Sequence, residues 1–153
     1  MKGRIVKGVI ILVVLFGLIQ LIPYGRNHTN PPVRQEPQWD SPQTRELVRR
    51  ACYDCHSNET VWPWYSNIAP VSWLVQRDVD EGRQKLNFSE WDRPQEGARE
   101  ILEVIQEGEM PPFYYVILHP QAKLSNAEKQ ALLQGLEKTL TISGVPAGSG
   151  GDD

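Results

Sequence analysis

Two thiols and an imidazole stand together at Cys52, Cys55 and His56, spaced as Cys-x-x-Cys-His, and that spacing is the attachment signature of a c-type haem. On a helical turn, residues three and four apart share a face. Each thiol can then add to one haem vinyl group while His56 aims its imidazole at the iron. These are the only two cysteines in the chain, so there is no disulfide framework and no four-cysteine zinc site. A Cys2His2 zinc site would have to recruit His28 or His119 at spacings unlike those of zinc folds. A thioredoxin-like dithiol normally follows a strand, whereas Arg45 to Ala51 is a helix-forming run without β-branched alternation. The expected cofactor is therefore one haem c, held covalently through Cys52 and Cys55.

With His56 as one axial ligand, the second has two candidates. Met110 is the only methionine besides the initiator. It stands in Gly108-Glu109-Met110-Pro111-Pro112, where a soft thioether is presented by a loop stiffened by two prolines. The bland reading, a core methionine filling a gap, fits a loop position poorly. The alternative ligand is His119, in Leu118-His119-Pro120, and bis-histidine ligation would lower the reduction potential relative to His/Met. If neither binds, the iron is five-coordinate and open to small ligands or peroxide. Among the aromatic residues, most are expected in the core. Trp64, Tyr65 and Trp91 are candidates to line a haem pocket and hydrogen-bond a propionate, which Arg77, Arg83 or Lys123 could neutralise.

The elements that must position these groups read as helices. Asp40 or Ser41 can cap a first domain helix with Pro42 in its first turn, and Leu47, Val48 and Ala51 give it an apolar side. A second is expected from Pro70 to about Lys85. A third, from Pro94 to Gly108, carries Ala98, Ile101, Leu102, Val104 and Ile105 at helical spacing. The last opens on Ser125-Asn126-Ala127-Glu128, a capping-box form, followed by Ala131, Leu132, Leu136 and Leu140. No strong strand alternation occurs, so the class is all-α. A core of this size is thin, and a bound haem would supply much of its apolar volume.

The rest of the 153 residues reads as appendages. Residues 1–24 carry Lys2, Arg4 and Lys7 before an apolar run, without a small-x-small cleavage site, and are expected to form an uncleaved single transmembrane anchor. With positive charges leading, the remainder is exported to the periplasmic side of a bacterial inner membrane, the side on which covalent haem is attached. Residues 25–41 are polar and proline-rich and read as a tether, 42–142 as the haem domain, and 143–153 as a disordered tail. Three of the 16 Lys and Arg residues lie in the anchor. The exported part thus sets 13 basic residues against 19 acidic ones, which disfavours nucleic-acid binding. Glu96, Glu100, Glu103 and Glu107 would share one face of the third helix, and Glu107 and Glu109 flank Met110. This acidic surface suits a basic redox partner.

The chain resembles a c-type cytochrome in its helix followed by Cys-x-x-Cys-His, its Met-Pro-Pro loop and its closing amphipathic helix. More narrowly, it is similar to a bacterial family of small haem-binding domains. The run from Cys52 to Trp73, the later Asn87-Phe88-Ser89-Glu90-Trp91, and Met110-Pro111-Pro112 followed by Tyr114 and His119 carry that resemblance, over about Arg45 to Glu137. It implies a cytochrome c-like helical haem domain. The Gly and aromatic residue usual in the first helix of ordinary class I cytochromes are missing, which leaves the standard crossing of first and last helices without its usual residues. The expected function is single-electron transfer by a membrane-anchored mono-haem cytochrome, a carrier rather than a catalyst. The alternatives are a haem-based sensor or peroxidase-like enzyme with a labile sixth ligand, and an interaction module in which haem is structural.

Overall fold

Helices at both ends of the domain open on side-chain caps that the sequence encodes locally. In the computed structural model, which describes residues 1–144, the helices are α1 (Lys2–Ile19), α2 (Pro42–Ala51), α3 (Tyr53–His56), α4 (Val71–Lys85), α5 (Ile101–Glu107), α6 (Phe113–Leu118) and α7 (Asn126–Ile142). Among the described residues the only paired extended chain is an isolated bridge between Gln35 and Glu90. The fold is all-helical, as expected. Ser41 caps α2 by accepting the Thr44 amide at 3.2 Å, with Pro42 just inside the helix. Ser125 and Glu128 close the capping box of α7: the Glu128 amide donates to Ser125 Oγ at 3.2 Å and the Ser125 amide to Glu128 Oε2 at 2.8 Å.

The core lies where α2, α5 and α7 meet, around Leu47, Val48, Ile101, Ile105, Leu132 and Leu136. Full burial of each such side chain contributes roughly 1.5–3 kcal/mol. Helices α2 and α7 approach so closely that a Cβ on Gly135 would fall 2.0 Å from Thr44 Oγ1. The first and last domain helices therefore do pack, with the permissive glycine on the last helix instead of the first. Phe88 extends the core toward the loops, stacked on Trp91 and Tyr53 with Trp39 tilted against it.

Three expectations are corrected. The third helix does not run from Pro94. A 3-10 turn occupies Glu96–Ala98, and α5 begins at Ile101. Gln95 is engaged elsewhere, accepting the Asn87 amide at 2.8 Å and donating to the Glu90 carbonyl at 2.6 Å. The segment is thereby pinned to the loop after α4. Only Glu103 and Glu107 of the acidic stripe share a helix.

The proline-rich stretch is extended, but it lies along the domain. Arg34 and Gln35 donate their amides to the Ser89 carbonyl, Trp91 donates to that of Gln35, and Arg45 grips Glu36 with two bonds of 2.7 Å.

The membrane span is the third. Among the described residues no helix is long and apolar enough to cross a membrane. Helix α1 spends its first turns on Lys2, Arg4 and Lys7. From Gly8 to Ile19 it offers about 18 Å of apolar length against the roughly 30 Å of hydrocarbon. No residue of α1 is buried. Of the expected disordered tail, 145–153 lies outside the described residues.

Candidate functional site

Helix α2 ends at Ala51, and Cys52 takes φ −125° and ψ −29°, off the helical path. One further turn, α3, follows. The amides of Cys55 and His56 both donate to the Cys52 carbonyl, at 3.2 and 2.9 Å. The Cys-x-x-Cys-His segment is therefore a turn of its own, set after α2. It is drawn against α4 at Gly82, where a Cβ would meet the Cys55 carbonyl oxygen at 2.5 Å. Glycine inside a helix costs about 1 kcal/mol relative to alanine, and here it permits the close approach of the two backbones.

That approach fixes His56. Its Nδ1 lies 3.1 Å from the Gly82 carbonyl oxygen and 3.0 Å from that of Leu86. Carbonyl oxygens only accept, so Nδ1 carries the proton and Nε2 keeps its lone pair. Burial holds the imidazole below its ordinary pKa, outweighing these two bonds. A neutral ring with one nitrogen tied to backbone is the form that ligates a metal. The Cys52 and Cys55 thiols are unpaired, and burial pushes each up to about 12.

Cys52, Cys55 and His56 line a cavity of about 370 Å³ whose apolar lining includes Leu86, Phe88, Ile101, Val104 and Ile105. Met110, Pro111 and Pro112 line the same cavity. Gly108, at φ +82°, ends α5 in the left-handed region that only glycine enters without cost. The chain then doubles back, and the amides of Glu109 and Met110 both donate to the Val104 carbonyl, at 2.9 and 3.2 Å. The loop bearing the thioether is thus anchored to the helix before it.

His119 is placed elsewhere. It lines an adjoining cavity of about 70 Å³ together with Tyr65 and Cys55, and it has no place in the lining of the larger one. Its Nδ1 donates to the Tyr115 carbonyl at 3.1 Å, which leaves Nε2 to accept from the Tyr65 hydroxyl at 3.2 Å. Both ring nitrogens are engaged. The three aromatic candidates are not gathered at the larger cavity either. Trp64 is 76% exposed, Tyr65 faces the small cavity, and Trp91 stacks on Phe88 at 5.8 Å, one ring removed from the lining. The cause for Trp64 and Tyr65 is their 3-10 turn, Trp64–Asn67, which packs on α4 at the side of the smaller cavity.

None of Arg77, Arg83 and Lys123 lines the larger cavity. Arg83 is consumed by the Ser57 and Thr29 carbonyls, Asn30 and Thr60, at 2.8–3.0 Å, and Arg77 pairs with Glu81. Sequence reasoning missed Lys85, the one cationic side chain in that lining among the described residues. It stands three residues after Gly82, and an isolated glycine inside a helical pattern was the legible sign of a close approach there. Tyr115 was missed as well, and Tyr114 was noted only for the resemblance it carries. Their hydroxyls donate to Asp54 Oδ2 at 2.6 Å and Asp78 Oδ2 at 3.2 Å, in the wall between the two cavities. Burial raises the Asp78 carboxyl above its ordinary value although Tyr114 opposes it.

This donor set fits a haem. Two thiols stand at the motif spacing, an oriented imidazole keeps a free nitrogen, a thioether shares the cavity, and the lining is largely apolar with Lys85 available to a propionate. In comparisons with known proteins, a family model described as a haem-binding domain matches residues 14–138, from within α1 to within α7. Neither curated proteins nor solved structures matched the chain.

Proposed function

The chain belongs to the haem-binding domain family, and from that we propose that it is a mono-haem c-type cytochrome that passes single electrons between partners in the bacterial envelope. The observation that carries this reading is the shared lining of one cavity by Cys52, Cys55, His56 and Met110, while both nitrogens of His119 are bonded elsewhere. In this reading Cys52 and Cys55 would hold the haem covalently, and His56 and Met110 would ligate its iron. Bound there, haem iron supplies a one-electron couple, and His/Met ligation favours a relatively high potential.

The residues of the chain do the rest. Gly82 and Leu86 orient the imidazole through its Nδ1 proton, the α5 loop presents the thioether, and Leu86, Phe88 and Ile101 exclude water. Glu100 and Glu109 border the cavity beside Lys85, and a basic redox protein suits that acidic rim. We place the domain at the periplasmic face of the inner membrane, since covalent haem is joined to protein on that side. Helix α1 supports membrane attachment without a full span, because its apolar surface is uncovered on every side and such a helix needs an apolar surrounding.

Carbon monoxide added to the reduced, detergent-purified holoprotein tests the reading. A closed His/Met site leaves the spectrum unchanged on mixing, whereas prompt CO binding to the untouched protein would assign a ligand sensor or peroxidase-like enzyme instead.

A further inference from the structure

The end of α1 is fastened to the domain without a flexible joint. The Gln20 side-chain amide makes two bonds to Ala69, donating to its carbonyl at 2.9 Å and accepting its amide at 3.0 Å. Arg26 donates back to Gln20 at 3.2 Å. Gly25, buried at φ +79°, sits so close to α4 that a Cβ would lie 2.3 Å from the Ser72 carbonyl oxygen. The direction of α1 is thus coupled to the corner of the domain at Ala69–Ser72.

That corner adjoins an uncovered apolar surface. Ile68 precedes it and Val71 lies within it, and Val71 and Leu74 line the small cavity together with Val61 and Leu118. All five are exposed: Val61 by 74% and Leu118 by 58%, the other three by between 37% and 44%. Trp64, between two residues bordering this region, stands out by 76%. Leu21, Ile22 and Tyr24 continue the exposed apolar surface from α1 onto the corner. The two carboxylates in the groove, Asp54 and Asp78, are capped by the Tyr115 and Tyr114 hydroxyls. Exposed apolar patches of this kind mark contact surfaces, and tryptophan and tyrosine concentrate where protein meets headgroups.

We infer that this face of the domain, carrying Trp64, Leu118 and Leu74, rests on the lipid surface into which α1 dips. The inference depends on the reading of α1 as a membrane attachment. A rigid joint makes the two apolar surfaces one footprint, because whatever lipid surrounds α1 is adjacent to the corner its end is bonded to. The haem domain is then held in a defined orientation at the bilayer.

The test uses the full chain in vesicles of phosphatidylcholine and phosphatidylglycerol, with a photoreactive benzoylphenylalanine in place of Trp64, of Leu118 or of Glu137. Glu137 lies on α7, which packs on α2 and α5 and has no residue in the groove. Flotation with the vesicles reports the attachment through α1, and irradiation reports the face. The expected result is flotation of all three forms, with lipid adducts at positions 64 and 118 and none at 137. Flotation without lipid adducts at 64 and 118, or with adducts there to a second copy of the chain, overturns the inference and leaves the attachment standing. Failure of the chain to float removes the attachment reading and the inference with it.

Discussion

The imidazole of His56 donates its Nδ1 proton to the carbonyl of Leu86 at 3.0 Å, across the point where α3 meets the end of α4. The bond depends on Gly82, whose own carbonyl shares that proton at 3.1 Å. Gly82→Ala would put a methyl group 2.5 Å from the Cys55 carbonyl oxygen. Forcing the two backbones apart is expected to cost about 1–3 kcal/mol and to loosen the imidazole. Thermal unfolding and haem content of the purified variant check this. A lowered unfolding midpoint together with reduced haem per chain is the expected outcome, and an unchanged pair would remove Gly82 from the positioning of His56.

Met110 and His119 separate in one pair of variants. Met110→Ala is expected to abolish the weak methionine–iron charge-transfer band of the ferric protein and to open the iron to CO. His119→Ala removes the Tyr65 contact in the smaller cavity and is expected to leave the band in place. Absorption spectra of the unaltered protein and the two variants decide it, and an unaltered ferric protein without the band, turned high-spin by His119→Ala and not by Met110→Ala, would reverse the assignment.

Packing at the α2–α7 crossing predicts a compensating pair. Gly135→Ala drives a methyl group into Thr44 Oγ1 and is expected to destabilise the domain by about 1–3 kcal/mol. Thr44→Ala leaves that space and forfeits the hydroxyl contact to Ser41 at 3.0 Å. In denaturant unfolding the double variant should be more stable than the sum of the two single losses implies. Strict additivity would mean that the helices do not meet at these residues.

Acid stability carries a signature of the α7 cap. The Ser125 backbone amide, then Arg50, hold the Glu128 carboxyl at about 2, below its ordinary 4.5. A group whose pKa is lowered by folding stabilises the folded state fully above its unfolded value and loses that contribution as pH falls through the folded one. The gap in unfolding midpoint between the native chain and Glu128→Gln should therefore be largest and flat above 4.5 and close as the pH approaches 2. A gap independent of pH would show that the charge of Glu128 is not what stabilises the cap.

What the sequence made legible was local. The Cys-x-x-Cys-His spacing, the Ser125–Glu128 cap, the α4 run and the solitary Met110 before two prolines are each written within a few residues, and the cap and the α4 helix form where those residues stand. What escaped was set by distant contacts. Ala98, Ile101, Leu102 and Ile105 have the apolar spacing of one helix, yet Gln95 is taken by Asn87 and Glu90, so α5 starts late. The composition of 25–41 is that of a spacer, but Glu36 and Gln35 find partners in Arg45, Ser89 and Trp91. Trp64 and Tyr65 were candidates for the haem pocket, whereas their turn packs on α4 and neither lines the larger cavity. Lys85 became visible only once Gly82 was seen to bring α4 against the thiol-bearing turn.

Covalent attachment is the claim on which the others stand, and one measurement reaches it directly. The holoprotein, made in a host that matures c-type cytochromes, is denatured and extracted with acidified acetone, and the intact mass of the precipitated chain is recorded. The chain is expected to keep the mass of one haem, and the Cys52→Ala, Cys55→Ala double variant to lose it to the solvent. Haem passing wholly into the acetone from the unaltered chain would contradict the account.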